Sequence, residues 1–378
     1  MGTKGHKRES LKLLCICLAL IAGVVPYTYG IDKTEPLAQP FLPEVRAMGG
    51  AFTAIANDEC SVFFNPAGYG KIKEPVISIF SLGAKINIDS SALEVYNAII
   101  SGKNITSSSN IIEYLSNTTL SPGLSGPVYF GRVGKNSGFA FYNTTNILLN
   151  TRPGAMFPVA EFYSYADLGF LGGFGTELPF LNNLYGGFNF KVVLRVKSKL
   201  EGTVVSVIDT LEESEGIPIA KSVGFGGDAG LLYTPLEYLS LGITFRDFFG
   251  TRFNTWNNLS GSENFPKSMI KPRIALGIAV FPLKTMEVSQ NSKDLVITAD
   301  YSDLLGSSIL ANIKFGVKYT SSRFLDIYGG FDGGYLAGGV GFNIKIFHIG
   351  LYYYVDELGA YPGARPVQNL LFNLALKW

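Results

Sequence analysis

The chain has 378 residues, of which 47% are hydrophobic, 13% aromatic and only 16% charged, with 44 glycines and a formal net charge of +1. Soluble globular proteins carry roughly 25% charged residues and about 7% glycine, so this chain is too apolar to be disordered and lacks the basic excess of a nucleic-acid binder. After the first 30 residues no run approaches the roughly 20 apolar residues of a membrane-spanning helix, which leaves a β-rich protein, with a membrane β-barrel as the leading expectation.

Residues 1–30 read as a secretory signal peptide. Lys4, Lys7, Arg8 and Lys12 form a basic start, Leu11 to Val25 is apolar, and a polar tail leads to cleavage near Gly30. Cys15 and Cys17 follow Leu14 and Ile16, poor matches for the small residue that precedes a lipoprotein cysteine. Cleavage removes four of the 31 basic residues and one of the 30 acidic ones, so the mature chain holds 27 and 29, a net charge of −2. It keeps one cysteine, Cys60, and one histidine, His348. A disulfide framework is therefore excluded. A Ser-His-Asp site would have to use His348, and a His-rich metal site is impossible. The expectation is a protein that is not an enzyme and binds neither metal nor cofactor.

Residues 31–74 do not alternate. Gly49, Gly50 and Gly68 permit tight turns and close approach to another backbone, and Pro66 turns Asn65 away from helix. Backbone of this kind is tolerated at membrane depth only when buried in protein or lining a cavity. The alternative is a periplasmic extension ending in an ordinary turn.

From residue 75 onward the pattern is alternating strands. Ile313, Phe315, Val317 and Tyr319 alternate with Asn312, Lys314, Gly316, Lys318 and Thr320. Phe188, Phe190, Val192, Leu194 and Val196 oppose Asn189, Lys191, Arg195 and Lys197, and the chain ends with Leu370, Phe372, Leu374, Leu376 and Trp378 on one face. The expected strands are 75–89, 126–134, 137–147, 164–176, 184–199, 220–234, 238–248, 272–283, 293–304, 310–321, 324–332, 335–345, 347–356 and 366–378. The fold class is thus all-β, a transmembrane antiparallel barrel of about 14 strands. With the first strand rising from the periplasm, short turns fall on one side and the long connections 90–125, 148–163, 200–219 and 249–271 on the other. The connection from Leu283 to Ser292 breaks that rule and leaves room for a two-strand miscount.

Two outer connections carry apolar residues at helical spacing: Ala92, Val95, Tyr96, Ile99 and Ile100, then Ile111, Ile112, Tyr114 and Leu115, and in the second Val204, Val207, Ile208 and Leu211. Val95, Tyr96, Ile99, Ile111, Tyr114 and Leu115 are candidates for capturing a hydrophobic solute; the competing reading is that these faces bury one another on the rim. Lys191, Arg195, Asp228, Arg246, Lys314, Lys318 and Lys345 point inward by alternation. Lys191, Arg195, Arg246 and Lys345 are candidates to hold a ligand carboxylate, against the plainer role of solvated lumen residues. His348 also points inward.

The stretch Val45-Arg46-Ala47-Met48-Gly49-Gly50-Ala51-Phe52-Thr53-Ala54-Ile55-Ala56-Asn57-Asp58, with Phe63-Phe64-Asn65-Pro66-Ala67-Gly68, resembles the N-terminal segment of FadL-like outer-membrane proteins and their PorV-like relatives. Asn57 stands where an acid is common and one glycine before Met48 is missing. The resemblance implies a hatch at 31–74 folded inside a 75–378 barrel. Arg46, Met48, Gly49, Gly50, Asn65, Pro66, Ala67 and Gly68 would be its gating residues, with Arg46 tying hatch to wall. It further implies passive outer-membrane transport of hydrophobic small molecules such as long-chain fatty acids. The alternative is a secretion or surface-assembly partner. Expected partners are outer-membrane lipid and a hydrophobic small-molecule ligand, with no nucleic acid, and a monomer is favoured.

Overall fold

The computed structural model describes residues 33–378 apart from 104–109, 111–113, 214–215, 262–263, 286–293, 307, 323 and 360. The expected signal peptide therefore lies outside the described residues.

Fourteen strands close into one antiparallel barrel: β1 Val76–Asn87, β2 Gly123–Gly134, β3 Ser137–Arg152, β4 Val159–Glu177, β5 Leu184–Thr203, β6 Ile219–Leu236, β7 Leu239–Arg246, β8 Arg273–Val280, β9 Asp294–Tyr301, β10 Ile313–Ser322, β11 Leu325–Asp332, β12 Tyr335–Ile344, β13 Phe347–Glu357 and β14 Pro366–Lys377. β14 pairs back onto β1 from Asn369 opposite Asn87 to Lys377 opposite Ser78. No free edge is left to carry unpaired peptide groups into lipid. Each strand overlaps one of the segments expected from alternation. The main difference is length: β3 continues to Arg152, β4 begins at Val159 and β5 reaches Thr203. Alternation fades there because beyond the apolar band neither face meets a uniform solvent.

The wall is apolar outside and polar inside. Phe170, Phe190, Phe225, Leu276, Phe315 and Phe372 are exposed, whereas Asn189, Arg195, Asp228, Thr244 and Asp300 are buried. Exposed apolar side chains in such number mark a surface made for lipid. Among the described residues no helix is long and apolar enough to cross a membrane, which says nothing against crossing by strands. In outer-membrane barrels the short-turn end is periplasmic and the long-loop end external.

One connection departs from expectation. The segment after β7, expected as an outer loop, folds into the mouth of the lumen as three short strands, Thr251–Phe253, Asn257–Ser260 and Ser268–Ile270. The first two pair with β6, and the third pairs with Thr251–Phe253 and, through Ser268–Met269, in parallel with Lys33–Thr34. Burial of Phe253 and Ile270 with Ala38 and Val193 supplies the physical reason.

Residues 35–72 lie within the ring of strands. Three short helices, α1 Pro43–Ala47, α2 Ser61–Phe64 and α3 Gly68–Lys71, are joined by irregular turns. Val45, Met48, Ile55, Val62 and Phe63 join a core with the inward Tyr129, Tyr142, Leu171 and Tyr352 of the wall. Close approach depends on inward-facing wall glycines. A Cβ at Gly187 would stand 2.3 Å from the Pro66 carbonyl, one at Gly242 2.4 Å from the Thr53 oxygen, and one at Gly330 2.2 Å from the Gly49 nitrogen. Gly187→Val is expected to push residues 66–67 off the wall while β5 keeps its ladder. In planar bilayers the variant should pass a larger ionic current than wild type, with the barrel's heat-modifiable gel mobility intact. Equal currents would show that this contact does not hold the segment in place.

Candidate functional site

The N-terminal segment is irregular, so its peptide groups need partners that no helix or sheet supplies. Wall side chains provide them. Asp300 Oδ2 accepts from the backbone N–H groups of Phe52 (2.9 Å) and Thr53 (2.8 Å). Ser240 Oγ donates to the Ala54 carbonyl at 2.7 Å, and Asn189 Nδ2 donates to the Val62 carbonyl at 2.8 Å. Asn65 is fully buried; its amide donates to the carbonyls of Thr53 (2.8 Å) and Leu231 (3.1 Å), and its oxygen accepts from the Ala67 N–H. Gly49 and Gly50 have φ of 64° and 79°, conformations that a β-carbon disfavours. Met48 and Ala67 are buried, and a Cβ on Gly68 would meet the Ala56 oxygen at 2.4 Å. Arg46 Nη1 lies 3.3 Å from Asp356 Oδ1 on β13, with the guanidinium 5.3 Å from the centre of the Tyr354 ring.

Two further ionic anchors were not read from the sequence. Glu35 meets Lys197 at 2.6 Å and Arg195 at 3.1 Å, and Arg195 also chelates Asp167 through Nε (2.7 Å) and Nη2 (2.6 Å). Toward the short-turn end, Glu44 of α1 contacts Lys377 and lies 3.2 Å from His348 Nε2, while Lys377 also meets Glu59 at 2.9 Å. The inward parity of Lys197 and Lys377 was legible, but their partners sit in a segment without periodicity.

The lumen candidates separate into three kinds. Lys191 is buried between Asp228 (2.7 Å) and Asp247 (2.9 Å), and Arg195 is wholly engaged as above, so neither has capacity for a ligand. Lys345 is a correction: it is exposed in the tight turn between β12 and β13, at φ 56°, because alternation stops where the chain reverses. Arg246 remains. It is 7% exposed, its guanidinium lies 5.1 Å from the centre of the Phe64 ring, and its Nε has no hydrogen-bond partner. Directly opposite it on β8 stands Arg273. Among the described residues neither makes an ion pair. Arg273 was missed although Arg273, Ala275, Gly277 and Ala279 share one face, a parity that places it inward.

Arg246 and Arg273 line a cavity of about 600 Å³ on the long-loop side of the N-terminal segment. Phe41, Phe64, Leu148, Tyr163 and Tyr165 supply apolar surface, and Arg46, Lys314, Asp332 and Asp356 form paired charges along it. Above this cavity the loop helices α4 Ser90–Ile100 and α5 Val204–Glu213 share one apolar cluster. Val95 and Leu115 are buried in it with Val204 and Val207, which corrects their reading as solute-capturing residues: their faces cover one another. Tyr114 packs on the same cluster, and Tyr96 Oη donates to Asn87 at 2.9 Å. Ile99 is 51% exposed, and Ile111 lies outside the described residues. Among the described residues no cluster of His, Cys, Asp and Glu could hold a metal ion.

Fold and lumen together define a fourteen-stranded transmembrane β-barrel with its N-terminal segment packed inside the wall. No protein-family model matches the sequence, and no curated protein matches it. Among solved structures the chain is similar to a Pseudomonas aeruginosa FadL homologue at 12% identity, over 90% of this chain and 99% of that one, with a TM-score of 0.49. It is also similar to the Ralstonia pickettii toluene transporter TbuX (14% identity, 89% and 98% covered, TM-score 0.47) and to the Pseudomonas putida toluene transporter TodX (11%, 93% and 99%, TM-score 0.42).

Charge in the segment ties its packing to pH. Burial opposes ionisation of Glu44, but the charges of Lys377 and His348 outweigh it and hold the carboxyl well below the usual range. Asp58 is the opposite case. Burial, with Glu59 and Glu44 close by, pushes its carboxyl up to about 7. An unfolded Asp ionises near pH ~3.9, so the folded segment holds this proton longer than the unfolded one and is favoured less as pH rises. The change runs from about pH 4, the unfolded value, to about 7, the folded one, and is flat above. Hydrogen-exchange protection of residues 58–65, corrected for intrinsic rates, should therefore be higher at pH 5 than at pH 8, and this excess should be lost in Asp58→Asn. Equal protection of the wild type at both values would refute this.

Proposed function

We propose that this protein is an outer-membrane passive transporter for hydrophobic small molecules, long-chain fatty acids foremost, and that its N-terminal segment is the gate. The observation that carries the reading is the cavity on the external side of that segment, with aromatic and aliphatic surface and two arginines that make no ion pair among the described residues. Cavities of a few hundred Å³ suit small ligands, and this one sets apolar surface beside charged groups. A carboxylate head would take charge-assisted hydrogen bonds from Arg246 and Arg273, and its apolar body would lie against Phe64, Tyr163 and Tyr165. Passage toward the periplasm requires the segment to move, because Phe41, Val45 and Phe64 line the cavity and belong to the core that closes it below. The anchors are side-chain contacts spread over β5, β7, β9, β13 and β14. The driving force is the solute's gradient.

A test follows from the two arginines. A lost hydrogen bond to a charged group costs about 1.5–3 kcal/mol, so Arg246→Gln and Arg273→Gln should each weaken palmitate binding about tenfold or more. Binding of hexadecanol, which lacks the charge, should hardly change. Displacement of a fluorescent fatty acid from the folded protein in non-ionic detergent measures both. Failure of both ligands to bind would sink the uptake reading. Equal binding by wild type and variants would remove only the arginines' role.

A further inference from the structure

The wall is uneven in height. β4, β5 and β6 have 19, 20 and 18 residues, whereas β7, β8 and β9 have eight each. Eight residues at about 3.4 Å rise, tilted about 40°, span roughly 21 Å, less than the apolar band of about 25 Å that such barrels present to lipid. On this low side most of the connection after β7 turns into the lumen, and only Phe248 and Phe249 at its start reach the outer face, where Phe248 packs on Phe188. The connection 302–312 between β9 and β10 does the reverse.

That connection has two faces. Ser302, Ala311 and Asn312 line the luminal cavity, and the Ser302 N–H donates to the Asn312 carbonyl at 2.8 Å, which extends the β9–β10 ladder by one step. The Leu304 N–H donates at 2.8 Å to the carbonyl of Ile274, in line with the exposed Leu276 and Ile278 of β8. Leu304, Leu305, Ile309 and Leu310 are 48%, 52%, 71% and 50% exposed, and no charged residue occurs from 304 to 312. The short helix Ile309–Asn312 buries none of its residues. A water-facing loop has no use for four large aliphatic side chains while its Ser302 and Asn312 line the lumen.

We propose that Leu304, Leu305, Ile309 and Leu310 sit in the outer leaflet of the membrane and complete the lipid-facing band where the wall is too short to do so. The partner is the acyl-chain layer, because the patch continues the apolar band of β8 to β10, with Leu276, Ile278, Ile297, Phe315 and Val317 exposed on those strands, and the one charge at the junction, Asp303, accepts from the Leu305 N–H at 3.0 Å. This inference does not depend on what the barrel transports.

Tryptophan depth measurement decides it. Leu310→Trp and Ile309→Trp are reconstituted separately, as the full mature chain, into phosphatidylcholine vesicles brominated on the acyl chains. Their added emission over the parent, which contains Trp256 and Trp378, is read against Phe315→Trp in the band and Tyr361→Trp in another external loop. Quenching by bromolipid of both loop variants close to that of Phe315→Trp, with little quenching by aqueous iodide, is the expected result. Iodide quenching equal to that of Tyr361→Trp would overturn the proposal. So would protection from both quenchers, which would place protein, such as a second copy of the chain, on the patch. A variant that fails to fold shows itself by lost heat-modifiable mobility, and the other then carries the test.

Discussion

Irregular backbone enclosed in a membrane barrel must find a partner for every peptide group, and the wall's own peptide groups are already committed to its ladder. The arrangement of the N-terminal segment depends on this constraint. Asp300, Ser240, Asn189 and Asn65 act as hydrogen-bonding adaptors between segment and wall. Each must come within about 3 Å of its partner, so the wall has to be thin where the segment passes, and inward glycines such as Gly187, Gly242 and Gly330 make it so. Adaptor and glycine are complementary devices: one satisfies the backbone, the other lets it approach.

The same constraint governs charge. A lysine or arginine inside a partly apolar lumen is costly unless paired, and most of the inward cations are paired. Lys191 lies between two aspartates, Arg195 between Asp167 and Glu35, and Lys377 between Glu44 and Glu59. Several of these pairs join the segment to the wall, so charge neutralisation and docking are one event. Arg246 and Arg273 break the pattern. Two like charges facing each other across strands are unfavourable, and under the proposed function their position on a cavity serves to bind an anion.

Wall height is a third consequence of how the lumen is filled. On the tall side β3 to β5 rise into a rim on which α4 and α5 pack. On the low side one connection is drawn inward to meet the N-terminal strand, and the other presents aliphatic side chains outward. The barrel thus answers one membrane thickness with strands on one flank and a loop on the other.

Alternation of apolar and polar residues determined the barrel and brought its strand count to about 14, because a strand between lipid and lumen must change environment at every residue. Phe188 to Val196 and Ile313 to Tyr319 could be read in no other period. Parity also told which cations face inward, and would have told it of Arg273. What alternation could not tell was which of them are already neutralised, since Glu35, Glu44 and Glu59 belong to a segment with no period. Lys345 was misplaced where the chain reverses and parity ends. Val95 and Leu115 looked like surface for a solute because helical spacing marks an apolar face without saying what covers it. Fold class and facing were written locally, in the two-residue repeat. Pairing, cover and the free arginines were decided by tertiary structure, because they depend on contacts between residues up to hundreds of positions apart.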